Sequence, residues 1–104
     1  MGESIEKKLN WGILGCGRIA HFFCESVQLL SDARVYAVAS TSEARAEAFK
    51  NEFSAAKAYT SYADLVADNE VDVIYVATPH SFHFEHAMLC LNARKPVLCE
   101  KPFT

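Results

Sequence analysis

The run at residues 71–77, Val-Asp-Val-Ile-Tyr-Val-Ala, is nearly continuously apolar and rich in β-branched side chains. A strand with one wet face alternates apolar and polar residues. A strand covered on both faces does not, and it belongs to parallel sheets packed between helices. The chain must therefore supply helices for two faces, and its pattern does so. Strand-like runs at residues 9–14, 34–39, 57–59 and 96–99 alternate with four helical patterns. The order β-α-β-α-β-α-β-α-β implies parallel strands joined by right-handed crossovers. The expected fold class is α/β, a doubly wound parallel sheet of about five strands.

The helical patterns carry specific expectations. The first runs from Arg18 to about Leu30, with Ile19, Phe23, Val27 and Leu30 on its inner face at helical spacing. The second is capped within Ser40-Thr41-Ser42 and runs through about Phe53, with Ala46, Phe49 and Phe53 inward. Ser61-x-x-Asp64 is a capping-box pattern for a brief third helix ending near Asp68. Thr78 as N-cap and Pro79 at the first helical position open the fourth, with Phe84, Ala87 and Leu91 as its buried stripe.

Composition narrows the partners. The 104 residues suffice for one small domain, and 51% hydrophobic against 22% charged residues fits a globular chain. A net charge of −3 argues against nucleic acid, whose binding depends on basic neutralisation of phosphates. No run approaches the ~18 apolar residues of a membrane span, and no long apolar leader follows the polar start. Cys16, Cys24, Cys90 and Cys99 have no C-x-x-C spacing, which suits reduced thiols in the cytoplasm.

Gly15-Cys16-Gly17-Arg18-Ile19-Ala20 lies between the first strand and the first helix. Gly15 permits a tight turn, Gly17 permits close approach of a pyrophosphate, and Ala20 lets the helix lie near the sheet. Backbone N–H groups around Arg18 and Ile19 would face the anion, helped by the helix dipole. A ligand-free glycine turn has the same look, but the strand-turn-helix context is the one a dinucleotide site requires. With the turn in place, the sheet reads as Rossmann-type. Such a domain normally has a sixth strand, so the chain, residues 1–104, reads as the N-terminal part of an NAD(P)-binding domain. The sixth strand and a C-terminal substrate domain would then lie beyond it.

The end of the second strand should meet the adenosine ribose. It offers Ser40, Thr41 and Ser42 with Arg45 one turn on, and no acid before Glu43. An acid favours the free 2′-hydroxyl of NAD, whereas an Arg suits a 2′-phosphate, so NADP is favoured with NAD as the alternative. The same residues serve equally to cap the helix. His80, His83 and His86 recur at three-residue steps, which rotate around a helix rather than share a face, so no metal site is expected. His83 reads as polar lining beside the cofactor and His86 as a solvated surface residue. Lys101, in Glu100-Lys101-Pro102, follows the fifth strand at the sheet end where ligands bind. It could polarise a substrate oxygen or simply be solvated.

Three stretches together resemble the Gfo/Idh/MocA oxidoreductases: residues 11–20, residues 76–83 and residues 95–102. The wording is closest to the dihydrodiol dehydrogenase branch, which uses NADP. The resemblance implies that Thr78 and Pro79 line the cofactor with His83 close by, that Glu100 contacts the nicotinamide side, and that Lys101 touches cofactor and substrate and assists catalysis. It implies a small-molecule substrate (a sugar, cyclitol or dihydrodiol) and a homo-oligomer assembled through the second domain. Members often carry glycine where this chain has Arg94, so a retained left-handed C-cap would cost about 1–2 kcal/mol there. Two other functions are open to the same residues. One is a nucleotide sensor without turnover, in which Lys101 has no task. The other is assembly through the open edge of the strand at residues 97–99. On the oxidoreductase reading the 104 residues alone should turn nothing over.

Overall fold

The computed structural model describes residues 8–99, apart from the side chain of His80. Its strands are β1 (Leu9–Leu14), β2 (Ala33–Ala39), β3 (Lys57–Tyr59), β4 (Val73–Val76) and β5 (Val97–Cys99). Its helices are α1 (Arg18–Gln28), α2 (Glu43–Phe53), α3 (Tyr62–Val66) and α4 (His83–Asn92). All neighbouring strands pair in parallel, in the order β3-β2-β1-β4-β5. The chain winds outward from β1 to one side, then returns to β4 on the other. Connections leaving β1 and β4 therefore diverge at a switch point between those two strands, the place where open α/β sheets bind ligands.

Each face has its own core. On one, Ala20, Cys24 and Val27 of α1 and Phe49 and Phe53 of α2 pack on Ile13, Val35, Val38 and Tyr75. On the other, Leu65 and Val66 of α3 and Cys90 of α4 pack on Leu14, Ala37, Ala39, Ile74 and Val76. The two faces stay in phase through one irregularity. Trp11 pairs with Val35 but Gly12 pairs with Ala37, so Tyr36 bulges out of the ladder. Val35 and Val38 thereby share a face despite their three-residue spacing. Among the described residues no helix is long and apolar enough to cross a membrane.

Helix α2 matches its sequence pattern in cap, end and inner face. Ser42 Oγ accepts from Arg45 N at 3.3 Å, and Ala46, Phe49 and Phe53 are buried. Ser61 caps α3 in the same way, accepting from Asp64 N. Helix α1 meets expectation only in part: Val27 is buried and Phe23 packs against the core, but Ile19 and Leu30 do not turn inward. Its buried stripe is Ala20, Cys24 and Val27, while Ile19 and Leu30 are each 53% exposed. Small residues face the sheet because the helix lies close to it, and the large ones are displaced to the flanks. Phe23 there stacks on Tyr75 with ring centroids 3.8 Å apart and meets the edge of Trp11 at 4.8 Å.

Strand β4 is shorter than its apolar run. Val71 is buried, yet its N–H donates to Asp68 O in a turn. Asp72 N donates to Asn10 O, and the Asp72 carboxylate accepts from Asn10 N. Apolar character there reports burial rather than ladder pairing. β5 likewise begins one residue late: Pro96 has no N–H to pair, although its carbonyl accepts from Ile74 N.

The largest correction concerns α4. Thr78 is not its N-cap and Pro79 is not its first residue. A 3-10 turn at His80–Phe82 intervenes, and α4 starts at His83 behind Phe82 with no side-chain cap. Its inner face is also different from the expected stripe: Cys90 is buried, Leu89 and Ala93 pack beside it, and Phe84 and Leu91 are 78% and 54% exposed. The far end meets expectation. Arg94 has φ 62°, in the left-handed region. Lys95 N donates to Cys90 O and Arg94 N to Leu91 O, the paired bonds of a Schellman end.

Candidate functional site

The carboxyl ends of the strands are level. The ladders align Tyr59 with Ala39, Ala39 with Leu14, Leu14 with Val76, and Val76 with Cys99. Three loops leave this row anchored to a neighbouring strand. Gly15 N donates to Ala39 O, Ala77 N to Leu14 O, and Ser40 N to Tyr59 O. The fold thus brings the glycine turn, the end of β2 and the segment from Thr78 to one edge.

The two glycines of the turn answer different demands. Gly15 has φ +104°, which L side chains rarely adopt. A Cβ there would also lie 2.9 Å from Thr78 Cγ2 and 3.2 Å from Thr78 N. Gly17 is extended, and a Cβ on it would meet nothing within 4 Å. Among the described residues no packing excludes a side chain at Gly17, so the space beside its backbone is open. Behind it, α1 begins without a side-chain cap and without an acid in its first turn. The other described helices each have at least one of these: Ser42 and Glu43 for α2, Ser61 and Asp64 for α3, Glu85 for α4. The first N–H groups of α1 have no intrahelical acceptor and no side-chain cap, which fits an anionic group.

Between the glycines, Cys16 is buried and its thiol donates to Ala39 O at 3.4 Å. Burial pushes this thiol up to about 12, against the opposing pull of the Arg45 guanidinium and the Ala39 bond. Cys24, on the inner side of α1, is pushed up to about 12 by burial as well. Both stay protonated at neutral pH and behave as small apolar residues. Arg45 is exposed in the first turn of α2, near enough for its charge to act on Cys16, and Thr41 is exposed ahead of that helix. Ser40 is buried, and its hydroxyl accepts from Ser42 N at 3.1 Å. Its side chain is thus spent on shaping the loop.

Thr78 links three elements. Its methyl group occupies the space that a side chain at Gly15 would fill. Its hydroxyl lies 2.6 Å from His86 Nδ1, and its carbonyl accepts from His83 Nε2 at 2.7 Å. This explains the missing cap: the hydroxyl is engaged by the His86 side chain instead of a backbone N–H. Pro79 follows, exposed. His86, expected in solvent, is half-buried. Its ring meets the edge of Tyr62 at 5.0 Å and stacks near Phe82 at 5.8 Å. Burial holds its imidazole below the usual range, opposed by Glu85 and reinforced by His83. The sequence signal for His86 was the inner stripe 83-86-90, which the larger Phe84 and Leu91 side chains mask. Ile19 and Arg18 are exposed at the start of α1. Glu100 and Lys101 lie outside the described residues.

A level sheet edge, a glycine turn at the β1–β4 switch point and an uncapped helix start define a dinucleotide-binding α/β domain. The family model described as "Oxidoreductase family, NAD-binding Rossmann fold" matches residues 9–104. The chain belongs to this family, Gfo/Idh/MocA. It is 48% identical over 108 residues to a D-xylose 1-dehydrogenase (NADP(+)) of Hypocrea jecorina, covering 92% of this chain and 28% of that protein. It is 46% identical over 96 residues to the trans-1,2-dihydrobenzene-1,2-diol dehydrogenase of Mus musculus, covering 90% and 29%. A 3-ketoreductase from Actinomadura kijaniata, solved with NADP and TDP-benzene, superposes with TM-score 0.86 at 31% identity, covering 94% of this chain and 30% of that one. The chain spans under a third of the length of these relatives.

Proposed function

We propose that the chain is the cofactor-binding part of an NADP-dependent dehydrogenase acting on a sugar, cyclitol or dihydrodiol, with NAD as the less favoured cofactor. The observation that carries this reading is the open space beside Gly17 in front of the uncapped start of α1. The N–H groups of Arg18 and Ile19 would hold the pyrophosphate there. Thr41 and Arg45 would meet the ribose and its 2′-phosphate, with Ser40 shaping the loop beneath them. Thr78, Pro79 and His83 would form the wall from β4, and Glu100 the contact near the nicotinamide. The bound nicotinamide would supply or accept a hydride at C4. Lys101 would donate to the substrate oxygen and stabilise the charge that develops on it. Lengths and names of the relatives support a larger enzyme with a small-molecule substrate. In this reading a second domain holds that substrate, and the whole is a cytoplasmic homo-oligomer.

Calorimetric titration with NADPH and NADH tests this. NADPH should bind more tightly, Gly17→Val should weaken it by at least about tenfold by blocking the approach, and Arg45→Ala should narrow the gap between the cofactors. Equal affinities for both cofactors in the unmodified protein would remove the 2′-phosphate reading. Undiminished binding by Gly17→Val would remove the turn as the site.

A further inference from the structure

His86 has no role in the site as read from the sequence, yet it is the side chain to which the Thr78 hydroxyl is tied. The geometry runs in one line. A Cβ on Gly15 would lie 2.9 Å from Thr78 Cγ2, so the Thr78 methyl rests directly against the turn. The other branch of the same side chain, Oγ1, lies 2.6 Å from His86 Nδ1. A β-branched side chain has one stiff torsion, so fixing the hydroxyl fixes the methyl. His86 is itself held between the Tyr62 ring of α3 and the Phe82 ring of the 3-10 turn. We infer that His86 is a positioning residue: through Thr78 it locks the β4–α4 loop against Gly15 and so holds the glycine turn in its cofactor-ready shape. It touches no cofactor. The inference rests on the glycine turn being the cofactor site.

The hydrogen bond also makes the lock responsive to protons. A neutral imidazole can take either role toward Thr78 at Nδ1, whereas a protonated one can only donate. Protonation therefore forces the Thr78 hydroxyl to accept from His86 and turns its own hydrogen elsewhere. The titratable and polar groups facing the ring are Tyr62 from α3, the Thr78 hydroxyl from the loop, and Glu85 and His83 from α4 itself. Burial disfavours the charged form, and Glu85 alone among these opposes it.

The test is NADPH affinity across a set of variants, with amide exchange as a second readout. His86→Leu and Thr78→Val should each weaken NADPH by about tenfold, the worth of one hydrogen bond that positions a site. The double variant should be no weaker than either single one, because both break the same link. His86→Asn, which keeps a polar atom near the place of Nδ1, should restore affinity to within about threefold. Exchange at the Gly15 amide, bonded to Ala39 O, should accelerate in His86→Leu while amides deeper in β1 and β2 keep their protection. Should His86→Leu not fold, His86→Gln serves in its place, since it sets its amide near Nε2 rather than Nδ1. Binding within about twofold of the unmodified protein in both single variants, or additive losses in the double, would overturn the inference. Failure of the underlying site looks different: Gly17→Val would then bind NADPH as well as the unmodified protein.

Discussion

Helices α2 and α4 are nearly equal in length and lie on opposite faces of one sheet, yet they are held in opposite ways. α2 begins on a Ser42 cap with Glu43 in its first turn and Lys50 in its last, and it buries two phenylalanines. α4 begins without a side-chain cap, buries Cys90 alone, and turns Phe84, Met88 and Leu91 outward. Its start is governed by Thr78, His83 and His86 rather than by its own ends. The lesson is that α2 is a packing element whose sequence describes its own local optimum. α4 is tied at its start to the loop beside the glycine turn, and its sequence is shaped by that tie as well as by its core.

The sharpest way to break the comparison is truncation on each helix. Phe49→Ala should cost about 3 kcal/mol in urea unfolding, whereas the exposed Leu91→Ala should cost less than about 0.5 kcal/mol. Equal losses would mean that the outer face of α4 is covered in solution. A smaller effect separates the helix ends. Arg94→Gly should raise stability by about 1 kcal/mol in the same assay, because a non-glycine residue holds φ 62° there. Ser42→Ala should lower it by about 1 kcal/mol through the lost cap of α2. The smallest effect is the pH dependence of α4. The His86 imidazole is held below its unfolded value, so the unfolded chain takes up the proton first. Stability should be full above about pH 6.5 and decline as the pH falls through the window below it. In His86→Asn, a thermal melting series from pH 7.5 to 5 should show a shallower decline than the unmodified protein.

The same contrast explains what the sequence disclosed. The alternation of strands and helices, the glycine turn, the Ser42 and Ser61 caps and the inner face of α2 depend on short-range chemistry or strict periodicity, and the amino acids state them directly. Even the left-handed Arg94 was legible, as a departure from a glycine position. The inner face of α1 was legible only at Phe23 and Val27, and that of α4 was not, because large apolar residues dominate a periodicity count. Where a helix lies close to a sheet, alanine and cysteine do the packing instead. His86 was hidden for a further reason. Its partner Thr78 had a plausible local task as a cap, and only the three-dimensional path of the 3-10 turn brings the hydroxyl to the second turn of α4.

The bulged Tyr36 gives β2 an uneven tolerance to genetic change. β1 has six residues and β2 seven, and the extra one lets both strands reach the carboxyl edge of the sheet with their faces in agreement. A substitution at Tyr36 alters one half-buried ring. A one-codon deletion there would do more than lose that ring. It would either reverse the faces of every β2 residue before the bulge or draw the Ser40–Arg45 segment back from the glycine turn. The length of β2 is thus a spacer that sets how far the Ser40–Arg45 segment stands from the glycine turn.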